Sequence, residues 1–321
     1  MFMITMMMGT LLTLSSQNWM SMWMGLEINM LSFLPIMMNK PSTKASEAMM
    51  MYFLIQSIGS TMLLFSVSMN MMFYSQPLKM NLIMTLSMLI KLGGAPFHLW
   101  VPEMMSKMKW SECMLLMTWQ SLAPLHVMSN IKINNNTLMI MVMMSTIIGA
   151  VGGLNQTSLR KLMGYSSINH LGWMMATISN HNSWTKYFTL YSITACLTCF
   201  MMNHYKALFI NQMNIMTMNL SETWNYLMIW LSLGGLPPLL GFLPKWLVIQ
   251  TMMSKQAYIM MIIMIMMSLI TLFYYMRTMT SMMIKPASSN QWMYTKSTSW
   301  KTTTCMIINL SFPVLMIMNF V

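Results

Sequence analysis

Long apolar runs separated by short polar clusters set the rhythm of this chain. Cut at the clusters, it falls into about eleven segments, near 1–14, 19–38, 47–70, 80–100, 111–130, 137–155, 160–179, 184–206, 224–249, 256–280 and 305–321. Most are close to the roughly 20 residues that an α-helix needs to cross a bilayer core. The stretches between them are too short for a domain outside the membrane. The expected fold is therefore all-α integral membrane, a single transmembrane bundle over 1–321 with about 11 transmembrane helices.

Loop charge tests that count, because Lys and Arg accumulate on the side from which a membrane chain is inserted. Loops after even-numbered spans hold Lys40, Lys44, Lys107, Lys109, Arg160, Lys161, Lys206, Arg277, Lys285, Lys296 and Lys301, whereas loops after odd-numbered spans hold only Lys79, Lys132, Lys186 and Lys255. A wrong number of crossings would scramble this division. It places the N-terminus on the positive, insertion side and the C-terminus on the opposite one.

Gly and Pro interrupt two spans. The fourth reads Lys91-Leu-Gly-Gly-Ala-Pro-Phe-His98, and the ninth Gly234-Gly-Leu-Pro-Pro-Leu-Leu-Gly-Phe-Leu-Pro-Lys245. Five crossings separate them, so a second copy of a five-helix unit would sit upside down relative to the first, as in secondary transporters with broken helices. The expected repeats are 1–130 and 134–280, followed by a final helix at 305–321. A helix broken in lipid strands backbone groups unless protein or water satisfies them, so a polar interior is expected.

Three charges lie inside the apolar pattern: Glu27 in Gly-Leu-Glu27-Ile-Asn, Lys91 before the first break, and Lys245 beside Pro244 in the second broken helix. A charge at mid-membrane costs roughly 2.5–3.5 kcal/mol even on lenient scales, and such residues mark ion routes. Snorkelling is the alternative for a long lysine, more so for Lys245 near a helix end. Glu27 has a short stem and stays neutral in apolar surroundings unless a lysine pairs with it. A Glu–Lys pair whose spacing or hydration changes moves a proton on or off the lysine, which is a pump element. Of the histidines, His170 in Ser-Ile-Asn-His170-Leu-Gly-Trp is the candidate for a proton path; His98, His126 and His204 read as packing residues.

Composition narrows the function further. Charged residues are 7% of the 321 and apolar ones 56%. The net charge of +12 comes from seventeen Lys and Arg against five Glu, with the basic residues scattered singly, so no nucleic-acid partner is expected. The 55 methionines serve as apolar filler. Cys113, Cys196, Cys199 and Cys305 read as buried thiols, since Cys196-x-x-Cys199 lies in an apolar run without a second pair. The opening run, Met1 to Met8, lacks a basic n-region or an Arg-rich presequence, which points to insertion where the chain is made. No Walker loop, dinucleotide fingerprint, cysteine cluster or haem-type histidine pair occurs, so neither cofactor nor metal is expected in this chain.

Five motifs carry a resemblance: Trp23-Met-Gly-Leu-Glu-Ile-Asn-Met-Leu-Ser-Phe-Leu-Pro35, Lys91-Leu-Gly-Gly-Ala-Pro-Phe-His-Leu-Trp-Val-Pro-Glu103, Gly153-Leu-Asn-Gln-Thr-Ser-Leu-Arg-Lys161, Tyr165-Ser-Ser-Ile-Asn-His-Leu-Gly-Trp173 and Leu233-Gly-Gly-Leu-Pro-Pro-Leu-Leu-Gly-Phe-Leu-Pro-Lys-Trp246. In order from about residue 9 to about residue 280, the chain resembles the antiporter-like membrane-arm subunits of respiratory complex I, NADH:ubiquinone oxidoreductase, in their animal mitochondrial form. The resemblance implies a multi-pass protein of the mitochondrial inner membrane, with its N-terminus on the matrix side and its C-terminus on the intermembrane-space side. It also implies that the chain lacks three N-terminal helices of its bacterial counterparts.

In that family a glutamate pairs with a lysine on the broken fourth helix, and further lysines lead toward the broken ninth. These positions are Glu27, Lys91 and Lys245 here. NADH, FMN, iron–sulfur clusters and ubiquinone would belong to partner subunits; neighbouring antiporter-like chains and lipids such as cardiolipin would surround this one. One departure stands out: the family's Thr-Trp-Gln-Lys-Leu-Ala-Pro is Thr118-Trp-Gln-Ser121-Leu-Ala-Pro124. Ser121 holds a water but no charge, and His126, five residues or about 500° around the helix, faces elsewhere. Water at Ser121, or His170, would then carry the middle of the relay, or else this subunit transfers protons inefficiently. The function implied is proton translocation driven by redox chemistry in other subunits; the rival readings are a structural membrane-arm spacer and a subunit of a cation/proton antiporter.

Overall fold

The computed structural model describes residues 1–38, 42–72, 77–178, 183–215, 220–283 and 300–311. The predicted loop charges Lys40, Lys285 and Lys296 lie outside these residues, as does 312–321 of the last predicted span. Among the described residues the elements are α1 (Phe2–Ser15), α2 (Trp19–Met37), α3 (Thr43–Met72), α4 (Pro77–Leu92), α5 (Trp100–Lys107), α6 (Trp110–Met117), α7 (Trp119–Asn130), α8 (Asn135–Gly153), α9 (Leu159–Thr177), α10 (Ser183–Tyr205), α11 (Ile210–Ile215), α12 (Leu220–Gly234), α13 (Phe242–Ser254), α14 (Tyr258–Met283) and α15 (Trp300–Asn309). Three of them, α3, α8 and α14, are long and apolar enough to cross a membrane on length and composition alone. The fold is all-helical among the described residues, and the chain forms two compact units, Met1–Ser145 and Thr146–Val321.

In the first unit α1 packs along α2 through small residues. A Cβ added at Gly25 would meet Thr13 Cγ2 at 2.5 Å and the Gly9 carbonyl at 2.8 Å, the close backbone approach that lets helices associate in lipid. Hydroxyls inside the helices return to their own backbone, as Thr13 Oγ1 does to Thr10 O (2.7 Å) and Ser66 Oγ to Leu63 O (2.7 Å), which satisfies them without water. At the end of the unit's helices the Lys107 ammonium meets the Glu47 carboxylate at 2.9 Å. Large apolar side chains such as Leu11 and Ile58 point outward, as lipid-facing residues do.

Both spans predicted to be broken are broken, and with the same backbone device. After α4 the Gly93 N–H bonds to Ile90 O (3.3 Å) and the Gly94 N–H to Leu89 O (2.9 Å). After α12 the Gly235 N–H bonds to Ser232 O (3.0 Å) and the Leu236 N–H to Leu231 O (3.3 Å). This paired closure needs a left-handed residue just past the helix, and Gly93 (φ +70°) and Gly235 (φ +73°) supply it. Three residues after each glycine comes a proline on a cis peptide bond, Ala95–Pro96 and Pro237–Pro238.

The structure corrects the expected elements in several places. The fifth span, expected to be continuous over 111–130, is interrupted at Thr118 (φ −105°, ψ −71°) between α6 and α7. Pro124 has no N–H for the Gln120 carbonyl one turn before it. The Thr118 hydroxyl donates to Met114 O (2.7 Å), which also accepts the Thr118 N–H (3.1 Å), and the Ser121 hydroxyl donates to Met117 O (2.9 Å), so side-chain hydroxyls bond the helix carbonyls there. The fourth span runs on past 100 as α5, because the chain turns helical again once the Pro96 turn is complete. Of the four cysteines expected to be buried, Cys196 is only half-buried, since it lies on an outward-leaning side of α10.

Candidate functional site

Within the first unit, α2, α3, α4 and α7 surround a cavity of ≈ 30 Å³. Lys91 lines it from the end of α4, and Ser121 from the second residue after the start of α7, so the structure brings these two predicted residues to one small space. Lys91 is 4% exposed, which rules out snorkelling. Glu27 does not line the cavity, and no N···O contact within 4.0 Å joins it to Lys91. Its Oε1 is buried without a hydrogen-bond partner, yet it lies within electrostatic reach of both Lys91 and Tyr52.

Four uncharged polar residues, Asn29, Tyr52, Gln56 and Gln120, complete the walls. The Tyr52 hydroxyl donates to Gln120 Oε1 (3.0 Å), and Gln120 Nε2 donates to Asn29 Oδ1 (3.1 Å), which ties α3, α7 and α2 together. Gln56 Nε2 donates to the Lys91 carbonyl (3.0 Å), one of the acceptors that the end of α4 leaves without an intrahelical donor. The signal for all four is an amide or phenol inside an apolar run, such as Asn29 two residues after Glu27. Gln56→Leu leaves the buried Lys91 carbonyl unpaired, and an unmade buried hydrogen bond costs about 1–3 kcal/mol. A lower midpoint of thermal denaturation in the detergent-solubilised assembly is the expected result; an unchanged midpoint means that another donor reaches this carbonyl.

In the second unit Lys245 stands one turn into α13 and reaches back across the break. Its ammonium donates to the Gly234 carbonyl at 2.7 Å and lies 5.8 Å from the centroid of the Trp173 ring. A cation belongs at this position, because the break's own N–H groups cap the Leu231 and Ser232 carbonyls, and Lys245 takes up the Gly234 carbonyl at the negative end of the helix dipole. Lys245 is 6% exposed, so snorkelling fails here too, although it is near a helix end. His170 and Trp173, three residues apart on α9, share a face. His170 is buried within electrostatic reach of Lys245, and its Nδ1 lies 2.8 Å from the Tyr187 hydroxyl, while Tyr191 packs against its ring at 4.7 Å. Trp173, the last residue of the Tyr165–Trp173 motif, is thus a cation–π partner of Lys245.

A helical membrane chain with two identically capped broken helices, each with a buried lysine at its break, has the design of the antiporter-type membrane subunits. The family model described as NADH:quinone oxidoreductase/Mrp antiporter, TM, matches residues 16–271. Two solved structures share the fold: a chain of respiratory complex I from Thermus thermophilus (TM-score 0.86, 18% identity, covering 98% of this chain and 76% of that one) and one of the Mrp complex from Dietzia sp. (TM-score 0.77, 14% identity, 87% and 59%). NADH-ubiquinone oxidoreductase chain 2 of Anopheles gambiae is 45% identical over 300 residues, 91% of this chain and 88% of that one. The chain belongs to the NADH-ubiquinone oxidoreductase chain 2 family.

Proposed function

We infer that this chain is a core membrane-arm subunit of the proton-pumping NADH:ubiquinone oxidoreductase, in the mitochondrial inner membrane, and that it carries part of the proton path. The observation behind this is the buried lysine at the break of each broken helix, Lys91 in one unit and Lys245 in the other. A buried ammonium is stable only with local polar partners, so a small change in those partners changes its charge. Glu27 is the counter-charge on which Lys91 depends, and His170 with Tyr187 the polar neighbour of Lys245; Ser121 lines the same cavity as Lys91. Moving one charge against the membrane potential takes about 2.3 kcal/mol per 100 mV, which this chain cannot supply. The drive comes from redox chemistry in partner subunits, which hold the flavin, the iron–sulfur clusters and the quinone.

The same reading orders the helices as eleven crossings, with α4–α5, α6–α7 and α12–α13 each one interrupted crossing. It takes 1–130 and 134–280 as inverted five-helix repeats and 305–321 as the final helix, with the N-terminus on the matrix side and the C-terminus on the intermembrane-space side. The matching caps at Gly93 and Gly235 support a repeat, and the loop lysines support the orientation. Neighbouring antiporter-like chains and lipids such as cardiolipin cover the outward apolar faces.

Glu27→Gln keeps shape and removes the charge. In membranes carrying it, proton translocation per NADH oxidised is expected to fall several-fold while a native gel shows normal assembly. Unchanged translocation takes Glu27 out of the path and favours a structural spacer.

A further inference from the structure

We propose that the cavity in the first unit binds one water molecule, held between the Lys91 ammonium, the Tyr52 oxygen and the Ser121 oxygen. The inference rests on the reading of Lys91 as a proton-carrying group. At ≈ 30 Å³ the space admits a water, which needs roughly 10–15 Å³ of such volume and two to four polar partners. Lys91, Tyr52 and Ser121 all line it.

The hydrogen-bond directions decide what those partners offer. Tyr52 has one proton and gives it to Gln120 Oε1. Gln120 cannot be reversed without loss, because its Nε2 lies 3.3 Å from Met6 Sδ and 3.1 Å from Asn29 Oδ1, and the thioether only accepts. Ser121 shares its one proton between the Met117 and Thr118 carbonyls, both at 2.9 Å, which the interruption at Thr118 leaves available. Both residues line the cavity, and their hydroxyl oxygens have only lone pairs left to offer. Lys91 is the complement: an ammonium has donors and no acceptor, and among the described residues no hydrogen bond or ion pair engages it. A water accepts from Lys91 and donates one proton to Tyr52 and the other to Ser121, using the ammonium's donor and two oxygen lone pairs that a dry interior would leave without partners. The site is rigid, since the Tyr52 ring is held by Phe33 (centroids 5.2 Å) and Trp100 (6.4 Å). Tyr52 and Ser121 are positioning residues: they act on Lys91 through the water.

The test uses the intact oxidoreductase with Tyr52→Phe, Ser121→Ala, both together, and Ser121→Thr. Electron cryomicroscopy at a resolution that shows other buried waters is expected to show one water within hydrogen-bond distance of all three groups, and none there in the double variant. Proton translocation per NADH is expected to fall roughly five- to tenfold in either single variant, one hydrogen bond's worth. Because both oxygens act through one water, the double variant falls no further than the worse single, and Ser121→Thr, which keeps the hydroxyl, stays near wild type. A dry cavity in the wild-type map overturns the proposal. So does normal translocation in Tyr52→Phe and Ser121→Ala beside loss in Lys91→Met, which leaves the proton-path reading standing. If Lys91→Met itself translocates normally, that reading fails, and the wild-type map alone decides whether the water is there.

Discussion

Membranes carrying Lys91→Met are expected to assemble the oxidoreductase in wild-type amounts and to lose most of their proton translocation per NADH, at least tenfold. Methionine matches the lysine stem in length and flexibility and removes only the charge. No hydrogen bond or ion pair from the ammonium is lost among the described residues, so the substitution breaks no contact on which assembly depends. Gln56 still donates to the backbone carbonyl of residue 91, so the break after α4 keeps its cap. Lys245→Met behaves differently. Its ammonium donates to the Gly234 carbonyl at the end of α12, so the substitution removes both the charge and the cap. A loss of translocation is expected together with about 1–3 kcal/mol of stability, read as a lower thermal midpoint. Equal midpoints for the two variants would show that Lys245 does not hold the second break together. Normal translocation in Lys91→Met would make it a scaffold residue.

What the sequence showed and what it hid follow from range. The membrane fold and the two broken helices are local properties: apolar runs, loop lysines, and a glycine followed by proline within three residues. Lys91 and Lys245 were conspicuous because a charge in an apolar run has a large cost wherever it lies. Their surroundings depended on contacts between residues 35 to 91 positions apart, such as Gln56 with Lys91 and Gln120 with Asn29, and no short pattern encodes those. The interruption at Thr118 was hidden for another reason. Thr118, Ser121 and Pro124 each look tolerable in a helix, and only together do two hydroxyls bonded to helix carbonyls and a proline without an N–H interrupt it. Lys245 looked free to snorkel because its distance from a helix end can be counted, whereas the direction of its side chain, back toward Gly234, cannot.

Gly241→Ala is expected to be the most damaging small substitution in the second unit, stronger than loss of either lysine in its effect on folding. The first turn of α13 lies directly against the last turn of α12, and a Cβ at residue 241 would overlap the Ser232 carbonyl oxygen and carbon. Those are backbone atoms of a helix end whose neighbours are already fixed by the Gly235 and Leu236 hydrogen bonds, so no rotamer change relieves the overlap. Overpacking where the backbone must move costs about 3 kcal/mol or more, enough to remove most of the assembled protein from a marginally stable chain. Gly234→Ala is the matched control. Seven residues away on the same break, its added Cβ would come no closer than 3.6 Å to Tyr275 and Leu272 side-chain atoms, an ordinary contact, so assembly on a native gel is expected to stay near wild type. If Gly241→Ala assembles as well as Gly234→Ala, the two half-helices are not held in the close approach that places Lys245 on the Gly234 carbonyl, and the geometry of the second lysine site fails with it.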